Sequence, residues 1–477
     1  MELPAIVLSH DSGEPLYRQL YGSIKTGIQE GRIPDSMRLP ATRELAATLG
    51  VNRATVAQAY ELLEKEGLLR AHVGRGSFVQ AAAAVSDGVI SFSSSRPSDD
   101  LFPLDAVARI LQDSTRDSAL MRTLLQLGST LGYQPLRQYI LDHHLSLTGG
   151  LEGEAALGQW REQGEVLITS GCQQALDLVA RAFVQPGDLV MMEDPVYPGL
   201  REVFHRSGGR LIGLPISDIG LDLDALELAL RRERPRLLLV TPDFQNPTGA
   251  TLPLDARRAL LALARRHGVL LVEIGIYRGL RYEGEAIPSL RALDEAGEVV
   301  HIGSFSKIAF PGLRVGWVCA GHEAVERLVE AKQWCDLHTD QLSQYILHEF
   351  GRSGGLAAHR KRVLEAGRVR LQAAVAALEA LPEVAQFTRP QGGMSLWVTL
   401  RAGIDAERVQ DAVAGRVSFL PGSAFAVSRR HPNSFRLSFA GVRPAAIRRG
   451  IEWIGEGARR AAAPAPDRYG SPHMAIV

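Results

Sequence analysis

Apolar positions in the first eighty residues recur at helical spacing. Leu16, Leu20, Ile24 and Ile28 form one stripe, which predicts a first helix after Pro15. A second helix is expected to begin near Thr42. Leu49-Gly50-Val51 then supplies a tight turn into a third helix, whose stripe is Val56, Ala59, Tyr60 and Leu63. After Gly67 the period shortens, and LLRAHVGRGSFV reads as two short strands around a basic, glycine-containing tip. Helix, turn, helix and hairpin are complete within residues 1–80. Residues 81–88 are small and unpatterned, a short linker. From Val89 onward strands alternate with helices for more than three hundred residues, the pattern of an α/β domain, which we place at 89–460. The end, AAAPAPDRYGSPHMAIV at 461–477, has no periodicity and reads as a mobile tail.

Composition adds exclusions. A chain of 477 residues, 45% hydrophobic and 22% charged, has the make-up of a globular protein of more than one domain. It holds no uninterrupted apolar run of the about eighteen residues that would span a bilayer. Its start, MELPAIVLSHDSGEP, lacks the basic-then-apolar order of a secretion signal, so no membrane association and a cytoplasmic location are expected. Cys172, Cys319 and Cys335 are scattered without metal-ligand or disulfide spacing. The formal net charge is zero, so contact with nucleic acid must come from a local arrangement of Arg and Lys.

The N-terminal pattern offers such an arrangement. In a helix-turn-helix the second helix of the pair enters the major groove by its first turn, which is where Asn52, Arg53 and Thr55 fall. Arg53 is long enough to reach a base edge with two hydrogen bonds, while Arg43 and Arg75, at the hairpin tip, suit phosphates. Asn52 and Thr55 also fit plain capping of the third helix.

In the large domain, GEVLITSGCQQALDL is a strand that turns through Ser170-Gly171-Cys172 into a helix. Such a helix start, with the Gln173 amide beside it, favours an anion. HIGSFSKIAFPGLRVGW places Lys307 just past a strand, with Ser304 and Ser306 before it and Arg314 seven residues after it. A lysine in a desolvated pocket can form a Schiff base with an aldehyde cofactor, and Arg with two hydroxyls can neutralise that cofactor's phosphate. Asn246 in TPDFQNPTG and Tyr277 in VEIGIYRGLRY each follow a strand, and both suit a phenolic oxygen. Tyr197 in EDPVYPG can stack on a ring or simply pack. Arg436 in NSFRLSFA suits a bidentate grip on a carboxylate.

The string LPATRELAATLGVNRATVAQAYELLEKEGLL followed by GRGSFV resembles the GntR family of winged-helix regulators, with Ala41 where that family usually has a hydroxyl residue. The motifs between about residues 90 and 455 look like a fold-type I, class I/II aminotransferase, and the fusion is similar to the MocR family of regulators. That resemblance implies an N-terminal winged helix-turn-helix, then a mixed, mainly parallel central sheet with a smaller C-terminal α+β subdomain. It implies pyridoxal 5'-phosphate as cofactor, with Lys307 as the Schiff-base lysine and Cys172, Gln173, Ser304, Ser306 and Arg314 around the phosphate. Tyr197 would stack on the ring, Asn246 and Tyr277 would meet its oxygen, and Arg436 would bind the carboxylate of an amino acid or related effector. Double-stranded DNA, a small-molecule effector (the cofactor, an amino acid or an amine) and a second copy of the chain are the implied partners.

Three positions depart from the family's pattern. The acid that pairs with the pyridine nitrogen, three residues before the tyrosine, is replaced by Ile274. Gly275 cannot substitute, and Glu273 is expected to point to the opposite face of its strand. Leu127 stands where a tyrosine commonly reaches the neighbouring subunit's phosphate, and Cys172 stands where a serine usually does. Without the acid a carbanion is poorly stabilised, so weak or absent catalysis is expected. The leading expectation is a transcription regulator that senses through its body. The alternatives are a working aminotransferase of an amino acid with a 2-oxo acid, and a dimerisation scaffold without cofactor.

Overall fold

The computed structural model describes residues 6, 8–9, 14–29, 33, 37–65, 68–72, 76–79, 89–148 and 164–462. Residues 1–89 form one compact unit, and nearly all of the chain from Ile90 onward forms the other. The expected linker at 81–88, Arg75 and residues 463–477 lie outside the described residues.

In the N-terminal unit the helices are Leu16–Gln29, Thr42–Leu49 and Arg53–Lys65. Leu20, Ile24 and Ile28 of the first helix meet Val56, Ala59, Tyr60 and Leu63 of the third in one core, together with Leu45 and Ala46 of the second. Glu44 carries half of a capping box, its carboxylate accepting from the Ala41 N–H at 3.1 Å, so the missing hydroxyl at 41 leaves the helix start intact. Gly50 ends that helix in the left-handed region at φ 65°, where a side chain is strained. Strands Leu69–His72 and Gly76–Val79 pair antiparallel. Residues 37–39 lie along the second of them, with Leu39 N–H on Ser77 O at 2.9 Å and Val79 N–H on Met37 O at 2.8 Å, an edge the hydrophobic pattern did not reveal.

The second unit is built on an eight-stranded sheet in the spatial order Glu165–Thr169, Gly316–Ala320, Val300–Ser304, Leu270–Ile274, Leu237–Val240, Leu189–Asp194, Arg210–Ser217, Gly220–Leu221. The five strands from Val300–Ser304 to Arg210–Ser217 are mutually parallel, and Gly316–Ala320 runs antiparallel to both of its neighbours. Helices cover both faces, so the strands read as continuous apolar runs. Alternate residues then enter different cores: Val190, Met192, Leu237, Leu239 and Val272 pack on one side, and Leu189, Met191, Leu238, Val240 and Leu271 on the other.

A smaller antiparallel sheet follows, in the order Val384–Phe387, Ser395–Leu400, Ser434–Ser438, Leu420–Pro421, accompanied by helices Gly355–Glu379, Ala406–Ala412 and Pro444–Ala462. The last of these helices runs into the stretch expected as tail. Ile90–Ser91 pairs in parallel with Val417–Ser418, which ties the start of this unit to its C-terminal part. Among the described residues no helix is long and apolar enough to cross a membrane.

Candidate functional site

At the carboxyl ends of the parallel strands lies a cavity of about 430 Å³. This is the edge of an open α/β sheet where ligands are commonly held. Cys172, Gln173, Tyr197, Asn246, Tyr277, Ser304, Ser306, Lys307, Arg314 and Arg436 all line it, although they are spread over some 260 residues of chain.

One end of the cavity suits a phosphate. Gly171, at φ 81°, begins the helix Cys172–Phe183, and a Cβ there would fall 2.5 Å from Arg314 Nη2. A Cβ on Gly316 would meet the Gly171 and Cys172 backbone at 2.9 to 3.0 Å. Both glycines therefore let the Arg314 side chain and this helix start share one cradle. Arg314, itself in the left-handed region at φ 54°, donates to Ser170 O at 3.3 Å. Ser304 Oγ accepts from the Ser306 N–H at 3.1 Å and so caps the turn that carries Lys307. Ser306 Oγ is buried without a hydrogen-bond partner among the described residues, a cost that an oxyanion would remove. The Gln173 amide, by contrast, donates to Gly199 O at 3.2 Å. Burial pushes the Cys172 thiol up to about 12, against the pull of Lys307 and Arg314, so it faces this end as a neutral, weak donor.

Lys307 Nζ donates to Ser95 O at 2.5 Å and stands 5.7 Å from the centre of the Tyr277 ring. Burial, with the Arg436 and Arg314 charges adding to it, brings its ammonium down to about 8. A sizeable neutral fraction of amine is then present near neutral pH.

Opposite the lysine, Asn246 Nδ2 donates to Tyr277 Oη at 2.9 Å, and Asn246 Oδ1 accepts from Arg436 Nη1 at 3.0 Å. Arg436 also donates to Ser93 O, while its Nε is buried without a hydrogen-bond partner among the described residues. Its side chain is 3% exposed, and no ion pair to it is found among the described residues, an arrangement that an incoming carboxylate completes. Tyr197 is 42% exposed, with its ring over Gly199 at the start of helix Pro198–Arg206.

The nitrogen end differs. Ile274 is buried and lines the cavity. Glu273 turns away from it and accepts from the Leu290 and Arg291 N–H groups at 3.0 Å each and from His301 Nδ1 at 2.9 Å. Burial works against its charge, yet His301, Arg278 and the Arg291 N–H hold the Glu273 carboxyl down to about 2. A Cβ on Gly275 would lie 2.2 Å from His301 Cε1, so an acid has no room at 275 either. The residues present therefore fit the phosphate, aldehyde and ring oxygen of a pyridoxal-type group, and they offer its nitrogen no carboxylate.

Sequence reading missed five contributors. Ser93, Ser94 and Ser95 reach the cavity from the segment just after the linker, and nothing local marks them. Thr241 lines it beside Ile274. Asp194 accepts from the Val427, Ser428 and Arg429 N–H groups at 2.8 to 3.0 Å and so fastens the C-terminal part to the sheet edge.

In the N-terminal unit Arg43, Asn52 and Arg53 are exposed and Thr55 is half-buried. Asn52 Oδ1 accepts from the Ala54 N–H at 3.0 Å, which is capping geometry, and Arg53 Nε reaches Thr42 Oγ1 at 3.4 Å. Leu127, the position of the commonly found tyrosine, is 79% exposed.

Residues 87–454 match the family model for aminotransferase class I and II, and residues 16–79 match that for bacterial regulatory proteins of the gntR family. The chain is 40% identical, over 77% of its length and 89% of the relative's, to a 2-aminoadipate transaminase of Thermus thermophilus. It is 28% identical to the probable rhizopine catabolism regulatory protein MocR of Rhizobium meliloti, over 94% of each chain. Among solved structures it is similar to LysN, an alpha-aminoadipate aminotransferase of Thermus thermophilus complexed with N-(5'-phosphopyridoxyl)-L-leucine. The TM-score is 0.71 with 36% identity, covering 83% of this chain and 97% of that one.

Proposed function

From the premise that the chain belongs to the aminotransferase class I and II family, with a GntR-family head in front of that domain, we propose that it is a DNA-binding transcription regulator whose body binds pyridoxal phosphate and senses an amino acid or amine. The observation that carries this reading is the fusion itself: a helix-turn-helix and a nearly complete cofactor cavity on one chain. Similarity to MocR over 94% of both chains supports it, because that match includes the head as well as the body.

Pyridoxal phosphate, when bound, supplies an aldehyde that takes up amines and a ring that withdraws electrons. Lys307 is the amine that holds it, Arg314, Ser304, Ser306 and the helix start at Cys172 hold its phosphate, and Asn246 with Tyr277 orients the ring oxygen. Arg436 recognises the effector's carboxylate. Ile274 leaves the ring a poor electron sink, so the body binds its ligand and turns it over slowly or not at all. The head contacts DNA through Arg53 at a base edge and Arg43 and Arg75 at phosphates, with Asn52 and Thr55 at the start of the reading helix.

Regulation requires that the ligand favour one arrangement of two heads over another, so we take the working unit as a homodimer in the cytoplasm. Leu125, Leu127, Trp334 and Leu337 are more than half exposed on the body. Gln341 Nε2 donates to Thr123 O and Gln126 O, which draws the Leu125–Leu127 turn towards the 334–341 segment. An apolar surface of this kind suits a second copy.

Binding of the purified protein to DNA from its own upstream region, measured at several salt concentrations with and without pyridoxal phosphate and amino acids, tests the reading. Sequence-selective, salt-sensitive binding that shifts with ligand is expected, and its absence overturns the proposal. The second reading, a working aminotransferase, is favoured by the intact Lys307, Asn246, Tyr277, Arg314 and Arg436. Steady turnover of an amino acid with 2-oxoglutarate, lost in Lys307→Ala, would establish it.

A further inference from the structure

The cavity holds one hydroxyl next to Ile274 to which the cofactor reading assigns no role. Strands Leu237–Val240 and Leu270–Ile274 are parallel neighbours with Val240 opposite Glu273, so the next residues, Thr241 and Ile274, leave the sheet edge side by side. Both line the cavity. The cysteine, serines and Arg314 at the other end serve the phosphate, Asn246 and Tyr277 the ring oxygen, and Ser93 and Ser95 sit against Arg436 and Lys307. Thr241 stands at the end where the family's pattern has the acid.

Behind Thr241, on the adjoining strand Leu189–Asp194, lies Glu193. Its side chain is 1% exposed; Oε2 accepts from the Thr241 N–H at 3.2 Å, and Oε1 is buried with no hydrogen-bond partner among the described residues. The Thr241 hydroxyl and the Gln245 amide both lie close enough to this carboxyl to favour its charged form, against the burial. An ionised carboxylate with one oxygen unpaired in such a place is costly, and burial pushes the group up to about 8. Protonated, it is a donor, and the Thr241 oxygen is an acceptor it can reach. The threonine's own proton is then free to point into the cavity. With a carboxylate instead, that proton would turn back towards Glu193, and only lone pairs would face the ligand.

A pyridine nitrogen lying opposite Ile274 finds no acid to protonate it, and its lone pair still needs a donor once water is excluded. We propose that Thr241 donates its hydroxyl proton to the pyridine nitrogen of the bound cofactor, with Glu193 as the positioning residue that aims that proton. This rests on the cofactor reading above and deepens it. A hydroxyl hydrogen-bonds the nitrogen without protonating it, so the ring is held in register while its electron withdrawal stays weak. That suits a body that binds amines and does not transform them.

The test uses the full chain loaded with pyridoxal phosphate carrying ¹⁵N in the ring, observed by nitrogen NMR. The native resonance is expected upfield of the free-base value in an aprotic solvent and well downfield of the protonated value. Thr241→Val moves it downfield towards free base, whereas Thr241→Ser keeps it in place. Glu193→Gln, which retains a neutral donor, also leaves it, and Glu193→Leu shifts it as Thr241→Val does. A native resonance at the free-base or the protonated value overturns the proposal without any variant, as does one that Thr241→Val leaves unmoved while the label remains bound. If no labelled cofactor stays with the native protein, the cofactor reading itself fails, and this inference falls with it.

Discussion

Asn246 Oδ1 accepts a hydrogen bond from Arg436 Nη1 at 3.0 Å, so the residue expected at the cofactor's ring oxygen also holds the residue expected at the ligand's carboxylate. The two ligand sites are thus joined through one buried amide, whose nitrogen end is already given to Tyr277. Arg436→Met removes the charge and leaves Asn246 Oδ1 unpaired. A charge-assisted hydrogen bond is worth about 1.5–3 kcal/mol, so affinity for an amino-acid effector should fall roughly tenfold to a hundredfold. Affinity for an amine without a carboxylate should change far less. Calorimetric titration of holo protein with an amino acid and its decarboxylated counterpart checks this, and equal losses for both would remove Arg436 from carboxylate recognition.

Lys307 makes a prediction in pH. Its folded value near 8 lies below the about 10.4 of a free lysine, so burial disfavours the ammonium. The neutral amine needed to capture an aldehyde therefore rises about tenfold per pH unit below 8 and levels off above it. The initial rate of appearance of the visible cofactor band, followed from pH 6 to 9 after mixing with pyridoxal phosphate, should trace that curve and vanish in Lys307→Ala. The same depression works on stability. The protonated lysine penalises the fold, so this group's contribution is fully favourable above the unfolded value and is lost as pH falls through about 8. A loading rate that is flat with pH would show that the amine is not the titrating group.

Arg53 and Arg43 should separate in their effects on DNA. Arg53, on the first turn of the third helix, is placed for base edges, whereas Arg43, at the start of the second, is placed for backbone. Arg53→Ala should cost about 1–3 kcal/mol on the specific operator and relax selectivity at one base pair. Arg43→Ala should weaken all sequences alike and lower the salt slope by about 1. Competition binding at several salt concentrations distinguishes the two, and identical behaviour would mean that neither reads sequence.

Periodicity served the head well because each of its helices buries a single stripe in its own core, as Leu20, Ile24 and Ile28 do. The direction of Glu273 was also legible, since alternation on a strand fixes its face. The charged members of the cavity could be found because Lys307, Arg314 and Arg436 sit in strings with their own local logic. Ser95, Thr241 and Asp194 could not. Ser95 O meets Lys307 across 212 residues of chain, and Asp194 meets 427–429 across more than 230. A short polar residue at a strand end looks like any loop residue until the partner strand is in place. Gln173 shows the reverse: its position beside the helix start was legible, but its amide turns to Gly199 O, which lies on another helix.

Ile274→Asp tests most directly the proposal that the body binds its ligand and turns it over slowly or not at all. The position is buried against the cavity, and Glu273 beside it is committed to His301 and two backbone N–H groups, so residue 274 and not 273 is placed to present an acid to the nitrogen. In the variant an unpaired carboxylate is buried until cofactor arrives. The apo protein should therefore lose about 1–3 kcal/mol of stability and regain it on loading, which makes the cofactor-induced rise in Tm larger than in the native chain. With the nitrogen protonated, charge developing next to the ring is better stabilised, and turnover of an amino acid with 2-oxoglutarate should rise at least tenfold, equivalent to about 1.4 kcal/mol of barrier. The gain should disappear in the Ile274→Asp, Lys307→Ala double variant. If the loaded single variant binds cofactor more tightly yet turns over no faster, the limit lies in substrate placement and not in the nitrogen, and Leu127 becomes the next position to exchange.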